Sequence, residues 1–335
     1  MSSIPYPLDP MGSTNRGSYF ELVVKPGILD SGLTYGFTPY WNAGGYCKVV
    51  DWGDGSNGDA IESGVWITHA YTVSGTYTIR IKADCYRVQF GVSPYNTLLY
   101  DANGNWDALG NITIGNNMFY DCVNAVFNFS ELPKGLTSAP YMFYNCKKAK
   151  LPLTSLPSGL KTVNNMFVDC FSAELNIYEL PAGLINGIGM FSGCTNAILP
   201  LTSLPDGLTS GTYMFNGCTN AILPLTSLPD GLTSGSNMFY NCSKAQLDLQ
   251  ELPDGLTRAD NMFNSCKKAV INLDDLTANA PEGGWTGVTS IENIFYNAGS
   301  GNSPGTVTGS RSALLAKFPN VTNTTNAFTG TNTTE

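Results

Sequence analysis

Histidine occurs once in this chain, at His69, and that residue limits the chemistry the sequence can perform. A Ser-His-Asp relay, a Cys-His pair and most zinc sites need an imidazole set against a nucleophile or shared with further ligands. His69 opens the stretch His69-Ala70-Tyr71-Thr72-Val73-Ser74-Gly75-Thr76-Tyr77, where it reads as a structural hydrogen-bonding group. No enzyme motif elsewhere compensates, so no catalytic residue and no bound cofactor are expected. The metal candidates are Asp51 and Asp54, in the turn Asp51-Trp52-Gly53-Asp54-Gly55-Ser56. With nearby carbonyls they could hold calcium, although carboxylates in such a turn also cap free amides, and no further acidic ligand has recognisable spacing. Asp274-Asp275 and the series Asp206, Asp230, Asp254 make a second, weaker cation candidate, because stacked carboxylates repel unless solvated.

The sequence holds 9 cysteines. Seven of them, Cys122, Cys146, Cys170, Cys194, Cys218, Cys242 and Cys266, recur every 24 residues. An odd set at one regular spacing does not pair off along its whole length, so these thiols are expected to be buried and to act as small hydrophobes. Cys47 and Cys85 flank the N-terminal strands, where a disulfide between them is open. Cysteine usage therefore leaves the redox compartment undetermined.

The cysteines belong to a longer repeat. Met118, Met142, Met166, Met190, Met214, Met238 and Met262 each precede a Phe, have a Cys four positions on, and have an Ala three beyond that. The consensus is M-F-x-x-C-x-x-A-x-L-x-L-x-x-L-P-x-G-L-T-x-x-x-x, and units 190–213 and 214–237 differ at three positions only. Within Ala197-Ile198-Leu199-Pro200-Leu201, the residues Ala197, Leu199 and Leu201 alternate and share one face of a short strand. Pro152, Pro200 and Pro224 cannot donate to a ladder, so short, broken strands are expected there. Leu-Pro-x-Gly-Leu turns the chain, and Met-Phe-x-x-Cys suits one helical turn that points Phe and Cys inward. One unit cannot bury these groups alone, but stacked units form continuous Leu, Phe and Cys ladders. At about 4.8 Å per rung, nine units make a rod of roughly 40 Å. Two degenerate units, Thr289 to Ala298 and Phe318 to Thr331, follow an insertion around Pro281 to Trp285 and cap the array.

The repeat pattern resembles the BspA-type, or Treponema-type, leucine-rich repeat, in a variant with Met before Phe, over about residues 109–331. The resemblance implies a solenoid of short strands and single turns that displays a binding surface. Upstream, Tyr19 to Val24, Cys47 to Trp52 and Tyr77 to Ile81 are strand-like. With Trp52-Gly53-Asp54-Gly55 and the His69-to-Tyr77 stretch they resemble a PKD-type domain, a small Ig-like β-sandwich that usually serves as a spacer or contact module. The expected organisation is a flexible arm over 1–17, the PKD-like domain over 18–90, a joint and N-terminal cap over 91–117, the regular solenoid over 118–285, and capping repeats with a polar tail over 286–335. The fold class is mainly β.

Composition narrows the partners. The chain of 335 residues is 42% hydrophobic and 13% charged, with a formal net charge of -9. Nucleic acid binding needs clustered Lys and Arg, and Lys147-Lys148 and Lys267-Lys268 are isolated pairs. No run of about 18 apolar residues is present to insert in a membrane. Met1 to Pro10 lacks the charge and apolar run of a secretion signal, so export with a leader since removed and release by another route both stay open. Six Asn-x-Ser/Thr sequons, at Asn111, Asn128, Asn241, Asn320, Asn323 and Asn332, carry no weight in a bacterial or phage protein.

A neutral surface rich in Asn and Tyr suits a glycan or another protein, and tyrosine is enriched at interfaces. The expected contact residues are Tyr120, Tyr141, Tyr144, Tyr213 and Tyr240 around the turns, and Lys150, Glu174, Asn176, Gln246, Asp248 and Asn272 between the inward leucines. The expected role is a phage virion appendage (tail, fibre or capsid decoration), located in the virion, displaying the solenoid for host attachment and touching neighbouring virion subunits. The alternative is a secreted bacterial cell-surface adhesin binding host protein or glycan. A homo-oligomer is compatible with either.

Overall fold

The computed structural model describes residues 19–27, 32–58, 61–91, 93–127, 129–300, 306–331 and 333–334. The arm expected over 1–17 and the sequons at Asn128 and Asn332 lie outside the described residues. Strands and turns dominate, and among the described residues α-helix is confined to α1 (Leu273–Ala278) and α2 (Arg311–Leu315).

The N-terminal part holds seven strands: β1 (Phe20–Val24), β2 (Thr34–Tyr40), β3 (Tyr46–Asp51), β4 (Ile67–Ala70), β5 (Tyr77–Asp84), β6 (Arg87–Gln89) and β7 (Leu99–Ala102). They form two antiparallel sheets, ordered β3-β5-β1-β7 and β4-β2-β6. Alternation explains the core: Phe20, Leu22 and Val24 of β1 and Ile79 and Ile81 of β5 are fully buried, with the intervening residues turned outward. Strand β7 falls in the segment expected to be a joint, yet it pairs with β1 and so completes the first sheet.

From residue 112 the chain winds into stacked coils. Phe119 N–H donates to the Met142 carbonyl (2.8 Å), Phe143 to Met166 (2.8 Å), Phe167 to Met190 (2.9 Å), and so on to Phe295 and Ala327 (2.9 Å). The rings of Phe119, Phe143, Phe167, Phe191, Phe215, Phe239, Phe263 and Phe295 stack in one column at 5.4–5.8 Å. The ring centroids thus sit further apart than the roughly 4.8 Å of a strand ladder, while the backbones keep ordinary hydrogen bonds between coils.

Two expectations about the repeat change. Met-Phe-x-x-Cys is not a helical turn: the residues before Met and before Cys take positive φ, as at Asn117 (56°) and Asp121 (57°). This left-handed alternation turns the amides of Asn117, Phe119 and Asp121 toward the next coil, where they donate to Pro140, Met142 and Tyr144. Asn, Gly and Asp fill most of these positions because they tolerate that conformation. Nor do short strands form at Pro152, Pro200 or Pro224. The leucines before them, Leu151, Leu199 and Leu223, have φ of 44°, 44° and 42°, and no ladder develops. Among the described coil residues, strands form at β8 (Asp248–Leu249), β9 (Val270–Asn272) and β10 (Thr306–Thr308), which pair in parallel, with Asp248 and Asn272 standing where the other coils carry Pro152, Pro200 and Pro224.

The two parts share one apolar core. Phe90 stacks on Phe20 at 5.4 Å and on Phe119 at 5.5 Å, so the aromatic column of the coils begins inside the sheets. A line of single parallel bridges runs from Arg87 of β6 through Ile114, Ser138, Thr162, Asn186, Ser210 and Ser234 to Arg258. Gly91 lets this approach happen, since a β-carbon there would collide with the Tyr120 backbone. The N-terminal sheets thus cap the first coil and supply its hydrogen-bond template.

Candidate binding surface

The single-histidine region resolves into a closed network. His69 Nε2 lies 2.7 Å from Asp54 Oδ2, and its ring stacks on Trp52 at 4.8 Å and meets Tyr71 edge-on at 4.7 Å. The Tyr71 hydroxyl donates to the Trp52 carbonyl at 3.0 Å. Ser56 Oγ donates to Asp54 Oδ1, so serine and carboxylate both sit at the same histidine nitrogen. A relay needs them on opposite nitrogens, and this arrangement holds a turn in place instead.

The calcium candidates are committed elsewhere. Asp51 accepts from Gly53 N–H (2.7 Å) and Arg80 (3.2 Å), and Asp54 accepts from Ser56 and His69, so all four carboxylate oxygens already have protein donors. In the second candidate, Asp274 accepts from Ser310 N–H and Asp275 from Asn272, while Asp206 and Asp230 line a groove with Glu251.

Burial pushes the Asp54 carboxyl upward, but its bonds to Ser56 and His69 outweigh this and hold it at about 2, against an ordinary 3.8. A carboxyl depressed by folding adds stability above its unfolded value and loses it as pH falls through the folded one. We therefore expect the melting temperature of the wild type to fall more steeply from pH 4 to pH 2 than that of Asp54→Asn. Thermal scans across that window compare the two slopes, and equal slopes would remove Asp54 from the balance.

The seven coil cysteines are fully buried thiols. They do more than fill space: Cys146 Sγ donates to the Phe119 carbonyl at 3.0 Å, and Cys170, Cys194, Cys218, Cys242 and Cys266 repeat the bond to the phenylalanine one coil back at 2.9–3.0 Å. The same carbonyl takes the amide of its own coil's cysteine, as Phe119 does from Cys122, so the thiol uses its second lone pair.

Tyrosines occupy two columns on the turn face. The column after Phe reads Tyr120, Tyr144, Val168, Ser192, Asn216 and Tyr240, so the expected strip is interrupted. Tyr120 and Tyr144 stack at 5.0 Å with 6° between planes, and Tyr141 leans on both at 6.4 and 5.9 Å. Tyr213 and Tyr240 belong to coils further along. Beneath the cluster, Asp121 accepts from Asn145 and from the buried Asn96 (3.1 Å), which fixes both turns. Burial, then the neighbouring Tyr144, Asp121 and Tyr141, push the Tyr120 hydroxyl up, so it stays a neutral donor at physiological pH.

Tyr141 is the strained member. Its φ is 57°, in a position where other coils carry Asn117, Asn165, Gly189, Asn237 or Asn261 and where Tyr213 alone repeats the tyrosine at 56°, and its ring is 38% exposed. A left-handed backbone costs an ordinary residue about 1–2 kcal/mol. Such strain, kept on a largely exposed ring whose packing partners are two other surface tyrosines, marks functional positions. Tyr141→Asn is accordingly expected to stabilise the fold by about 0.5–1 kcal/mol, measured as a higher urea midpoint.

One aromatic pair was not legible in advance. Trp66, 44% exposed, packs on Tyr95 at 5.3 Å, and Tyr95 adjoins Asn96, the residue tied to Asp121. Neither belongs to a repeat, so no periodicity flagged them. Of the remaining contact candidates, Lys150, Glu174, Gln246 and Asp248 are exposed while Asn176 is half-buried. Asn272 is used structurally: its Oδ1 accepts Asp274 N–H at 3.1 Å and caps α1.

Residues 112–246 and 199–298 match the family model described as BspA type leucine rich repeat region, in 6 copies. No curated protein matches. Among solved structures, a leucine-rich repeat protein from Bacteroides ovatus is similar at 14% identity, over 72% of this chain and 94% of that one, with a TM-score of 0.21. A likeness that loose carries no argument about geometry.

Proposed function

The chain belongs to the BspA-type leucine-rich-repeat family, and from that premise we propose that it is a non-enzymatic binding protein of the surface-adhesin kind. In this reading the coils form a leucine-rich-repeat solenoid of the Met-Phe variant, and the N-terminal sheets form a PKD-type Ig-like module that caps and presents it. The observation that carries the proposal is the mutually packed, partly strained cluster of the exposed Tyr120 and Tyr141 with the half-buried Tyr144. Stacked rings with free hydroxyl edges offer apolar contact and hydrogen bonding at little entropic cost. A net charge of -9 favours a neutral glycan or a protein over an anionic partner. The fixed Asp54 and His69 network supports a contact or spacer role for the module.

The place of action is the bacterial cell surface or its exterior. The other role set out above, a phage virion appendage, draws only on the same display architecture, and the family match adds nothing to it. Quantitative proteomics of washed cell envelopes and of purified particles from the source culture separates the two. Peptides concentrated in the envelope fraction are expected. Peptides confined to particles at stoichiometric copy number would overturn the adhesin reading.

A further inference from the structure

Two cysteines differ from the other seven. Cys47 lies on β3 opposite Ala83 of β5, and Cys85 follows two residues later on the same face, just past the end of that strand. The neighbouring Cys85 side chain, together with burial, pushes the Cys47 thiol up. They are also the cysteines not wholly sealed, at 7% and 2% exposure against 0% for every coil cysteine. From Cys146 to Cys266 each coil thiol is engaged with a phenylalanine carbonyl, whereas Cys85 has only a long contact of 3.6 Å to the Tyr46 carbonyl.

We propose that Cys47 and Cys85 are an oxidisable pair that forms one disulfide, tying β3 to the chain that leads into the first coil, while the seven coil thiols stay reduced. The oxidant is a small-molecule disulfide. One cysteine thiolate attacks it, forming a mixed disulfide and releasing one thiolate. The second cysteine, losing its proton, then displaces the other half. Two protein thiols become one disulfide, and the oxidant leaves as two thiols. The reaction in the folded state is slow, because the partner thiol and burial push Cys47 up and leave little thiolate. It proceeds faster while the strand end is still open during folding. The bridge closes a loop from 47 to 85 that holds β4 and β5, so it constrains the unfolded chain and stabilises the cap of the stack. Its setting outside the cell rests on the surface role proposed above; the chemistry does not, and is tested in the tube.

The full-length protein is refolded with a mixture of reduced and oxidised glutathione, denatured, alkylated, and its thiols counted by mass. Seven alkylated cysteines, a peptide linking positions 47 and 85, and a melting temperature several degrees above that of the dithiothreitol-treated chain are expected. Nine alkylated cysteines would overturn the proposal. So would a linked peptide drawn from the coil cysteines, or glutathione on both sites without a bridge. Cys47→Ser and Cys85→Ser each remove the link, and oxidised glutathione then leaves the melting temperature unshifted.

Discussion

Phe191→Ala is expected to lower the unfolding free energy by about 3–5 kcal/mol, the range for truncating a fully buried phenylalanine. Phe191 is sealed from solvent and stacks on Phe167 and Phe215, both at 5.7 Å and nearly parallel. Its amide also donates to Met214 and its carbonyl receives the thiol of Cys218. The alanine removes the ring from two interfaces at once, leaving a gap that neighbours tied by backbone bonds cannot close. Stability in a stack is approximately a sum of coil terms and nearest-neighbour terms. The same change at the end of the column should therefore matter less. Phe328 has one ring neighbour, Phe295 at 5.7 Å, and is 8% exposed, so Phe328→Ala is expected to cost about 1–2 kcal/mol. Urea unfolding followed by circular dichroism measures both. Equal losses at the two sites would show that the coils do not couple through the ring column.

The column was readable in advance because its residues repeat every 24 positions and are large and apolar. The inward Ala197, Leu199 and Leu201 were readable from their alternation, and all three are fully buried although no strand forms there. Backbone conformation was harder to read. Met-Phe-x-x-Cys has spacing that a helical turn also satisfies, and hydrophobicity alone does not separate the two. The deciding signal lay in the residues between: Asn117, Asp121, Asn145, Asn165, Asp169, Gly189 and Gly193 are types that tolerate positive φ, set at each end of the step. A helix gains nothing from Asn or Gly there. The thiol bonds left no local trace, because each joins a cysteine to a carbonyl 27 residues away, as Cys146 does to Phe119. The extension of the first sheet by β7 depended likewise on a distant partner, Val23 against Asp101. For the candidate surface, the sequence supplied the tyrosines but not their grouping. Tyr120, Tyr141 and Tyr144 meet because adjacent coils stack, whereas Tyr240 is left behind by Val168, Ser192 and Asn216 in its column.

The double variant Tyr120→Ser/Tyr144→Ser is expected to weaken binding to the target surface by about 100-fold or more, while the fold stays intact. Aromatic residues near the centre of an interface typically contribute about 2 kcal/mol or more each on truncation, and such losses combine imperfectly. Two stacked rings removed together therefore give a loss of roughly 3–4 kcal/mol. Both rings stand outside the phenylalanine column, and Tyr120 is 37% exposed, so little core is lost. Serine already occupies the same column at Ser192, where the coil keeps its Phe191-to-Met214 bond at 2.9 Å. The substitution thus tests the surface and not the scaffold. The measurement is a titration of labelled full-length protein on cells of the host surface, alongside a neutral-glycan array, with the urea midpoint recorded for each variant. Tyr141→Asn provides the sharper comparison, because it should raise the midpoint while reducing binding. A protein whose stability rises as its binding falls holds that tyrosine for contact. If both variants bind like the wild type, the cluster is not the contact surface, and the exposed column of Lys150, Glu174 and Gln246 becomes the next place to cut.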